Sequence, residues 1–149
     1  MRKLLIIGAL ALLGLVAGTG YATASAVTVF TVHLAPTATG DQDGSGVAVL
    51  RLNPDNQQIC YTIVVRNIGQ PVEPAPGIGS AHIHTALTGG VFVNLLTDFR
   101  STGSDTYIAR GCVSTSTANI DAILSHPDQY YVNVHTAEFP RGAIQGSLG

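Results

Sequence analysis

Three histidines lie in two segments whose alternating apolar and polar residues predict β-strands. His82 and His84 belong to residues 81–87, and His135 belongs to residues 129–136. Alternate side chains of a strand point to the same face, and residues two apart are separated by about 6.7 Å along it. Two imidazoles at this spacing can converge on one ion at nitrogen–metal distances of about 2 Å. If the two strands are neighbours in the sheet, which the sequence does not show, the pattern predicts a copper or zinc site formed by His82, His84 and His135.

Polar neighbours of these histidines have a second interpretation. Tyr131 and Asn133 share the outward face of their strand with His135, so Asn133 would orient a metal ligand and Tyr131 would lie beside it. Imidazole also donates and accepts hydrogen bonds, and Thr85 and Thr136 stand next to the histidines in sequence. The same cluster is therefore compatible with a purely structural hydrogen-bond network. The sequence leaves both interpretations open.

Motifs for the common enzyme classes are absent from the sequence. There is no G-x-S-x-G nucleophile elbow, no G-x-x-x-x-G-K phosphate loop and no H-E-x-x-H zinc motif. The two glutamates, Glu73 and Glu138, form no pair at glycosidase spacing. A calcium loop is disfavoured because Leu52 stands where the closing glutamate of residues 41–52 is required. No catalytic residue is assigned, and a non-enzymatic protein is favoured.

Period-2 alternation in short runs rich in Val and Thr fills the chain beyond its N-terminus. Eight strands are predicted, at residues 27–34, 46–52, 58–67, 81–87, 91–96, 107–113, 129–136 and 143–148. Helical spacing occurs only in residues 117–125, where Thr117 is the predicted N-cap, and residues 97–105 read as a polar loop. The prediction is an all-β fold, either an antiparallel β-sandwich or a flattened Greek-key barrel of about eight strands with one short helix.

The N-terminus predicts an exported protein. Met1, Arg2 and Lys3 precede an apolar run over residues 4–16, and Ala22-Thr23-Ala24 follows as an A-x-A site. The run is shorter than the ~18–20 residues that span a bilayer. We expect a signal peptide at residues 1–24, cleaved after Ala24 or Ala26, and a secreted or periplasmic protein with one domain at residues 25–149. An uncleaved N-terminal anchor is the alternative.

The charge of the chain indicates which partners to expect, and its two cysteines indicate the compartment. Of seven basic residues, five arginines remain beyond residue 24, against nine acidic residues, for a net charge of −4. These arginines form no cluster in the sequence, so neither nucleic acid nor heparin is an expected partner at physiological salt. Cys60 and Cys112 are an even pair without a C-x-x-C motif, which predicts one disulfide in an oxidising compartment. Two buried thiols are the alternative.

Several motifs together resemble the CHRD (chordin-type) domain. They are Ala81-His82-Ile83-His84, Gly89-Gly90-Val91 with Leu95, Tyr130-Tyr131-Val132-Asn133-Val134-His135-Thr136, and Pro140-Arg141-Gly142-Ala143-Ile144-Gln145-Gly146. The family is named for repeats in chordin, an extracellular antagonist of growth-factor signalling, and also occurs as single-domain secreted microbial proteins. The resemblance spans residues 27–148. It implies a β fold and an extracellular address, but no particular ligand.

The sequence is therefore compatible with two functions. The first is a non-enzymatic extracellular binding or structural module whose partner is an unknown extracellular protein or surface ligand. The second is a copper- or zinc-binding protein, which could be redox-active because its histidine spacing is similar to the copper side of Cu/Zn superoxide dismutases. Neither function requires nucleic acid, or a membrane after signal cleavage. The oligomeric state is left open.

Overall fold

A computed structural model of the chain describes residues 26–149, and the predicted signal peptide lies outside them. Nine strands are present in this part: β1 (Thr28–Leu34), β2 (Ser45–Asn53), β3 (Gln58–Arg66), β4 (Ala81–Thr85), β5 (Val91–Asn94), β6 (Arg100–Gly103), β7 (Thr106–Ser114), β8 (Tyr130–Val134) and β9 (Ile144–Ser147). One α-helix, α1 (Thr117–Ser125), precedes a single 3₁₀ turn at Pro127–Gln129. No helix within residues 26–149 has the length and apolar character needed to cross a membrane.

The strands form two antiparallel sheets, as the alternating pattern predicts. The five-stranded sheet has the order β1-β2-β3-β7-β6, and the four-stranded sheet has the order β5-β4-β8-β9. Ala35 and Gln145 exchange two backbone hydrogen bonds of 2.9 Å just beyond β1, which join one edge of each sheet. The all-β sandwich expected from the sequence is confirmed.

The core lies between the two sheets because each strand turns its alternate apolar side chains inward. The fully buried members include Leu50, Leu52, Ile59, Ile63 and Val65 of the five-stranded sheet and Ile83, Val132, Val134 and Ile144 of the four-stranded sheet. Ile120 and Ile123 of α1 are also fully buried. Ile83, Val132 and Val134 point into the core and so fix the phase of β4 and β8. The residues that alternate with them in these two strands must therefore face outward.

Two local predictions are wrong. Residues 97–105 contain strand β6, whose four residues are all exposed and thus lack the apolar alternation that marks a half-buried strand. Pairing with β7 at the sheet edge holds this strand in place. Helix α1 has its predicted bounds, but its N-cap is Ser116 rather than Thr117. The Ser116 hydroxyl accepts a 3.1 Å hydrogen bond from the Asn119 amide.

The predicted disulfide is confirmed. Cys60 on β3 and Cys112 on β7 are direct cross-strand partners, and their sulfur atoms are bonded. Both residues belong to the outward phase of their strands, since the neighbouring Ile59 and Val113 are buried. The bond therefore crosses the outer surface of the five-stranded sheet.

Candidate metal centre

Strand pairing brings the three predicted histidines together. Strands β4 and β8 are adjacent and antiparallel, with His82 opposite Asn133 and His84 opposite Tyr131. His135 directly follows β8 and lies on the same side as Asn133. The sequence predicted that these side chains share an outward phase, and the register adds that the two strands are neighbours.

The three imidazole rings are close enough to serve one ion. His82 Nδ1 lies 3.1 Å from His135 Nε2. The ring centroid of His82 is 4.9 Å from that of His135 and 5.4 Å from that of His84. One nitrogen from each ring can be chosen so that all three lie within 4.8 Å of one another. Two ligands on one tetrahedral ion are about 3.3 Å apart, so His82 and His135 are nearly at that separation, and the nitrogen of His84 needs to approach by up to about 1.5 Å.

The three histidine side chains point away from the core, but loops cover them. Their exposed fractions are 1% for His82, 7% for His84 and 5% for His135. Their predicted outward phase is correct, but they are not surface residues. The cover includes Ile78 of the proline-rich loop before β4 and Pro140 of the loop before β9, each of which contacts a histidine.

Backbone carbonyls fix the orientation of every ring. His82 Nε2 bonds to the Ile78 carbonyl oxygen, His84 Nδ1 to that of Gly89 at 2.9 Å, and His135 Nδ1 to that of Pro140 at 3.0 Å. A carbonyl oxygen can only accept, so the facing nitrogen must carry the hydrogen. In a neutral ring the other nitrogen then has a free lone pair. These lone-pair atoms are His82 Nδ1, His84 Nε2 and His135 Nε2.

Burial keeps two of the rings neutral. Burial, and next the charge of the neighbouring His82, lower the pKa of His135 to about 4. Burial also lowers the pKa of His82, although the hydrogen bond to the Ile78 carbonyl works in the opposite direction. Both imidazoles are therefore unprotonated at neutral pH, which is the state that binds metal ions.

Tyr131 lies beside the histidines, and Asn133 stands opposite His82 in the register of β4 and β8. The role of Asn133 in orienting a metal ligand stays a prediction. The Tyr131 ring stacks on His84, with centroids 5.1 Å apart and planes inclined by 14°. Asn133 Nδ2 donates a 3.1 Å hydrogen bond to the Arg141 carbonyl. Asn133 Oδ1 and His84 Nε2 are the buried side-chain polar atoms of residues 26–149 that have no hydrogen-bond partner. Because such atoms are rare in folded proteins, their occurrence in one cluster points to a ligand there.

The other polar residues considered from the sequence lie elsewhere in the hydrogen-bond network. Thr85 Oγ1 pairs with Thr88 Oγ1 at 2.6 Å, and Thr136 Oγ1 accepts from the Phe139 amide at 3.2 Å. These hydroxyl contacts do not involve the histidines, whose hydrogen-bond partners in the backbone are the carbonyls of Ile78, Gly89 and Pro140. His33 and His126 are exposed, as predicted.

Sequence reasoning missed the groups that orient the rings. The carbonyls of Ile78, Gly89 and Pro140 belong to loops, and any residue can supply a carbonyl, so no residue type marks them. One residue type does mark this region, namely the glycine at position 142. Gly142 has a φ of 126°, and its backbone lies against the Asn133 side chain. An added Cβ would overlap the Asn133 side chain, with Cγ at 2.7 Å, so glycine is required for this approach.

A family model matches nearly the whole chain. Residues 22–148 match the family model of the CHRD domain. The chain belongs to the CHRD-domain family. The match includes both histidine strands and the loop that carries Pro140, so the candidate centre lies within the CHRD domain itself. No curated protein and no solved structure matches the chain.

Proposed function

We propose that this CHRD domain is an exported, non-enzymatic binding module that holds one copper or zinc ion through His82, His84 and His135. The observation that carries the proposal is the contact between His82 Nδ1 and His135 Nε2 at 3.1 Å. Both nitrogens are lone-pair atoms, because the other nitrogen of each ring donates to a carbonyl. Two lone pairs at this distance repel each other unless a positive group lies between them.

A proton would relieve this repulsion, but burial disfavours it. Burial lowers the pKa of His82 and lowers that of His135 to about 4, so His135 does not hold a proton at neutral pH. A metal ion brings its own charge and replaces the proton. Carbonyl partners on the far nitrogens are also the usual arrangement around histidine ligands, since they fix the tautomer and raise the basicity of the ligating atom.

The ligand set favours particular metals. Three imidazole nitrogens suit copper and zinc, whereas calcium and magnesium require oxygen ligands. Among divalent ions, copper(II) binds nitrogen sites more tightly than zinc does. The 1–7% exposure of the three histidines leaves little room for a substrate, which supports binding over catalysis.

Titration of purified, chelator-treated protein without a histidine tag tests the proposal. Copper(II) and zinc(II) should each bind at one equivalent, with copper(II) tighter, in competition with a chromogenic chelator. The His82→Ala, His135→Ala double variant should lose about 100-fold or more in affinity. His33→Ala, His126→Ala is the matched control, because both histidines are exposed and neither belongs to the cluster. Equal affinity in the two double variants would contradict the proposal.

The structural alternative makes a different prediction for the same proteins. If the histidines only hold loops, the His82→Ala, His135→Ala variant should lose stability without metal, and copper or zinc should not raise the melting temperature of the native chain. A bound ion should instead raise that temperature in proportion to the logarithm of its concentration. Absence of this rise would support the structural alternative.

Export is part of the proposal and has its own test. The confirmed disulfide is typical of proteins that fold in an oxidising compartment. N-terminal sequencing of the protein recovered outside the cytoplasm should begin at Ser25 or Val27. A chain that retains Met1 in that fraction would indicate the uncleaved anchor.

A further inference from the structure

Four of the five arginines in residues 26–149 lie on the outward surface of the five-stranded sheet. Arg51 belongs to β2, Arg66 to β3, Arg100 to β6 and Arg110 to β7, and all four are exposed. Residues directly adjacent to them in the strands, including Leu52 and Ala109, are buried in the core. We call the surface that carries these four residues the arginine face.

Strand register arranges three of these arginines along a diagonal. Arg51 lies opposite Cys60, and Arg110 lies opposite Thr62, two residues further along β3. Arg100 lies opposite Ile108, which is two residues before Arg110. With strands about 4.8 Å apart and a rise of about 3.4 Å per residue, the Cα atoms of Arg51, Arg110 and Arg100 are spaced by about 12 and 8 Å. Positive charge therefore follows a line across the sheet.

Acidic residues are absent from the strands that form this surface. The sequences of β1, β2, β3, β6 and β7 contain no Asp or Glu, although residues 26–149 carry nine acidic residues and a net charge of −4. Arg100 pairs with Asp98 at 3.3 Å, but both side chains are about 80% exposed, so this pair is weak. Positive charge is thus concentrated on one sheet of an otherwise acidic molecule.

We propose that the arginine face binds an acidic polysaccharide. An extended polymer with carboxylate or sulfate groups matches a line of guanidinium groups, each of which can bind an oxyanion through two hydrogen bonds. Shallow depressions lie along the line. One of about 240 Å³ is lined by Val49, Arg51, Cys60, Tyr61 and Thr62. One of about 270 Å³ is lined by Arg100, Ile108, Arg110 and the partner of Arg100, Asp98.

The outward side chains favour a sugar polymer over nucleic acid. No Phe, Tyr or Trp occupies an outward position of β2, β3 or β7, so unpaired bases have no aromatic ring on which to stack. A flat sheet face also presents no helix or protruding ribbon that could enter a groove of duplex DNA. The interleaved aliphatic residues, Val47, Val49, Val64 and Ile108, are only half exposed and make the surface smooth between the charges.

This surface is not apparent from the sequence, where the four arginines are ten or more residues apart. The arginines form no cluster in the sequence, but the register of the folded chain places Arg51, Arg110 and Arg100 along one line across the sheet. Residues distant in sequence become neighbours because antiparallel pairing places β2, β3, β7 and β6 side by side. The resulting site is independent of the candidate metal centre, which lies on the other sheet.

Binding of the purified protein to defined polymers tests the proposal. The probes are dextran sulfate, which carries sulfates, polygalacturonate, which carries carboxylates, and uncharged dextran. At least one anionic polymer should bind, and its affinity should fall linearly with salt on logarithmic axes. The better of the two identifies the anionic group that is preferred. Failure of both anionic polymers at low salt, or equal binding of uncharged dextran, would overturn the proposal.

Arginine variants locate the binding site. The Arg51→Gln, Arg110→Gln variant should weaken polymer binding by about tenfold or more and reduce the salt dependence by roughly one to two released ions. Arg141→Gln is the matched control, since Arg141 is exposed but lies in the loop before β9. Unchanged melting temperatures would show that both variants are folded. An equal loss in Arg141→Gln would overturn the assignment.

Duplex and single-stranded DNA of matched charge complete the test. We expect either DNA to bind at least tenfold more weakly than the preferred polysaccharide at the same salt concentration. If DNA binds as tightly and the same double variant loses that binding, the arginine face is a nucleic-acid site and the polysaccharide proposal is wrong. None of these outcomes affects the metal titrations, so the two proposals can fail separately.

Discussion

Replacing Gly146 with alanine perturbs the place where the two sheets join. Gly146 lies on β9, next to Gln145, which exchanges two backbone hydrogen bonds with Ala35. An added Cβ would overlap the His33 carbonyl oxygen and would lie 2.8 Å from Val32 Cγ1 and 3.0 Å from the His33 carbonyl carbon. Two of these atoms belong to backbone, which cannot move away as a flexible side chain can. The Gly146→Ala variant must therefore separate β9 from β1.

The cost of this separation follows from the contacts that it breaks. Overpacking of a dense interior costs about 1–3 kcal/mol. Loss of the two Ala35–Gln145 hydrogen bonds adds about 1 kcal/mol each. The expected loss is about 3–5 kcal/mol, which is a large part of the roughly 5–15 kcal/mol that stabilises an ordinary domain.

Chemical denaturation measures this loss as a lower midpoint with an unchanged slope. The control is Gly90→Ala, because the nearest atom to its added Cβ is the Thr88 hydroxyl oxygen at 3.3 Å, which is the end of an exposed side chain and not backbone. We expect the control to change stability by less than about 1 kcal/mol. If Gly146→Ala is as stable as Gly90→Ala, the close approach of β9 to β1 is not a constraint on the fold and the reasoning is refuted.

Three further predictions concern the disulfide, the pH dependence and the metal centre. Replacing Cys60 and Cys112 with alanine should lower the unfolding free energy by about 4 kcal/mol, as expected for a sequence separation of 52 residues, and an unchanged denaturation midpoint would contradict this. The pKa of His135 is about 4 in the folded chain against an ordinary value of 6.5 for a solvated histidine, so the unfolded chain binds more protons between these values. The unfolding free energy of the metal-free protein should therefore fall by up to about 3 kcal/mol as pH drops from 6.5 to 4. A denaturation midpoint that stays constant over this pH range would exclude a buried neutral imidazole. Gly142→Ala should displace Asn133 and weaken copper binding by roughly tenfold in the chelator competition, whereas native affinity would show that Asn133 does not support the site.

Most strands could be predicted because their signal is local. In β3, for example, Ile59, Tyr61, Ile63 and Val65 occupy alternate positions, and the strand is found at Gln58–Arg66. Burial of one face imposes this period on the sequence. Strand β6 was missed because both of its faces are exposed, so no apolar period is present.

The candidate site was predicted only in part. The phase of His82 and His84 follows from Ile83 between them, which is buried in the core. That His135 lies within reach of both depends on the pairing of β4 with β8, which no local pattern encodes. The carbonyls that select the tautomers belong to loops whose paths depend on the whole fold.

The amino-acid sequence alone is enough to predict the family, the strand phases, the cysteine pair and the residue types of the candidate centre. These features depend on short motifs, composition and the period-2 geometry of a strand, all of which involve residues near one another in the chain. Strand order and register belong to the folded molecule, because they depend on hydrogen bonds and core packing between distant segments. This pairing buries three imidazoles under loops and aligns Arg51, Arg110 and Arg100 across one sheet.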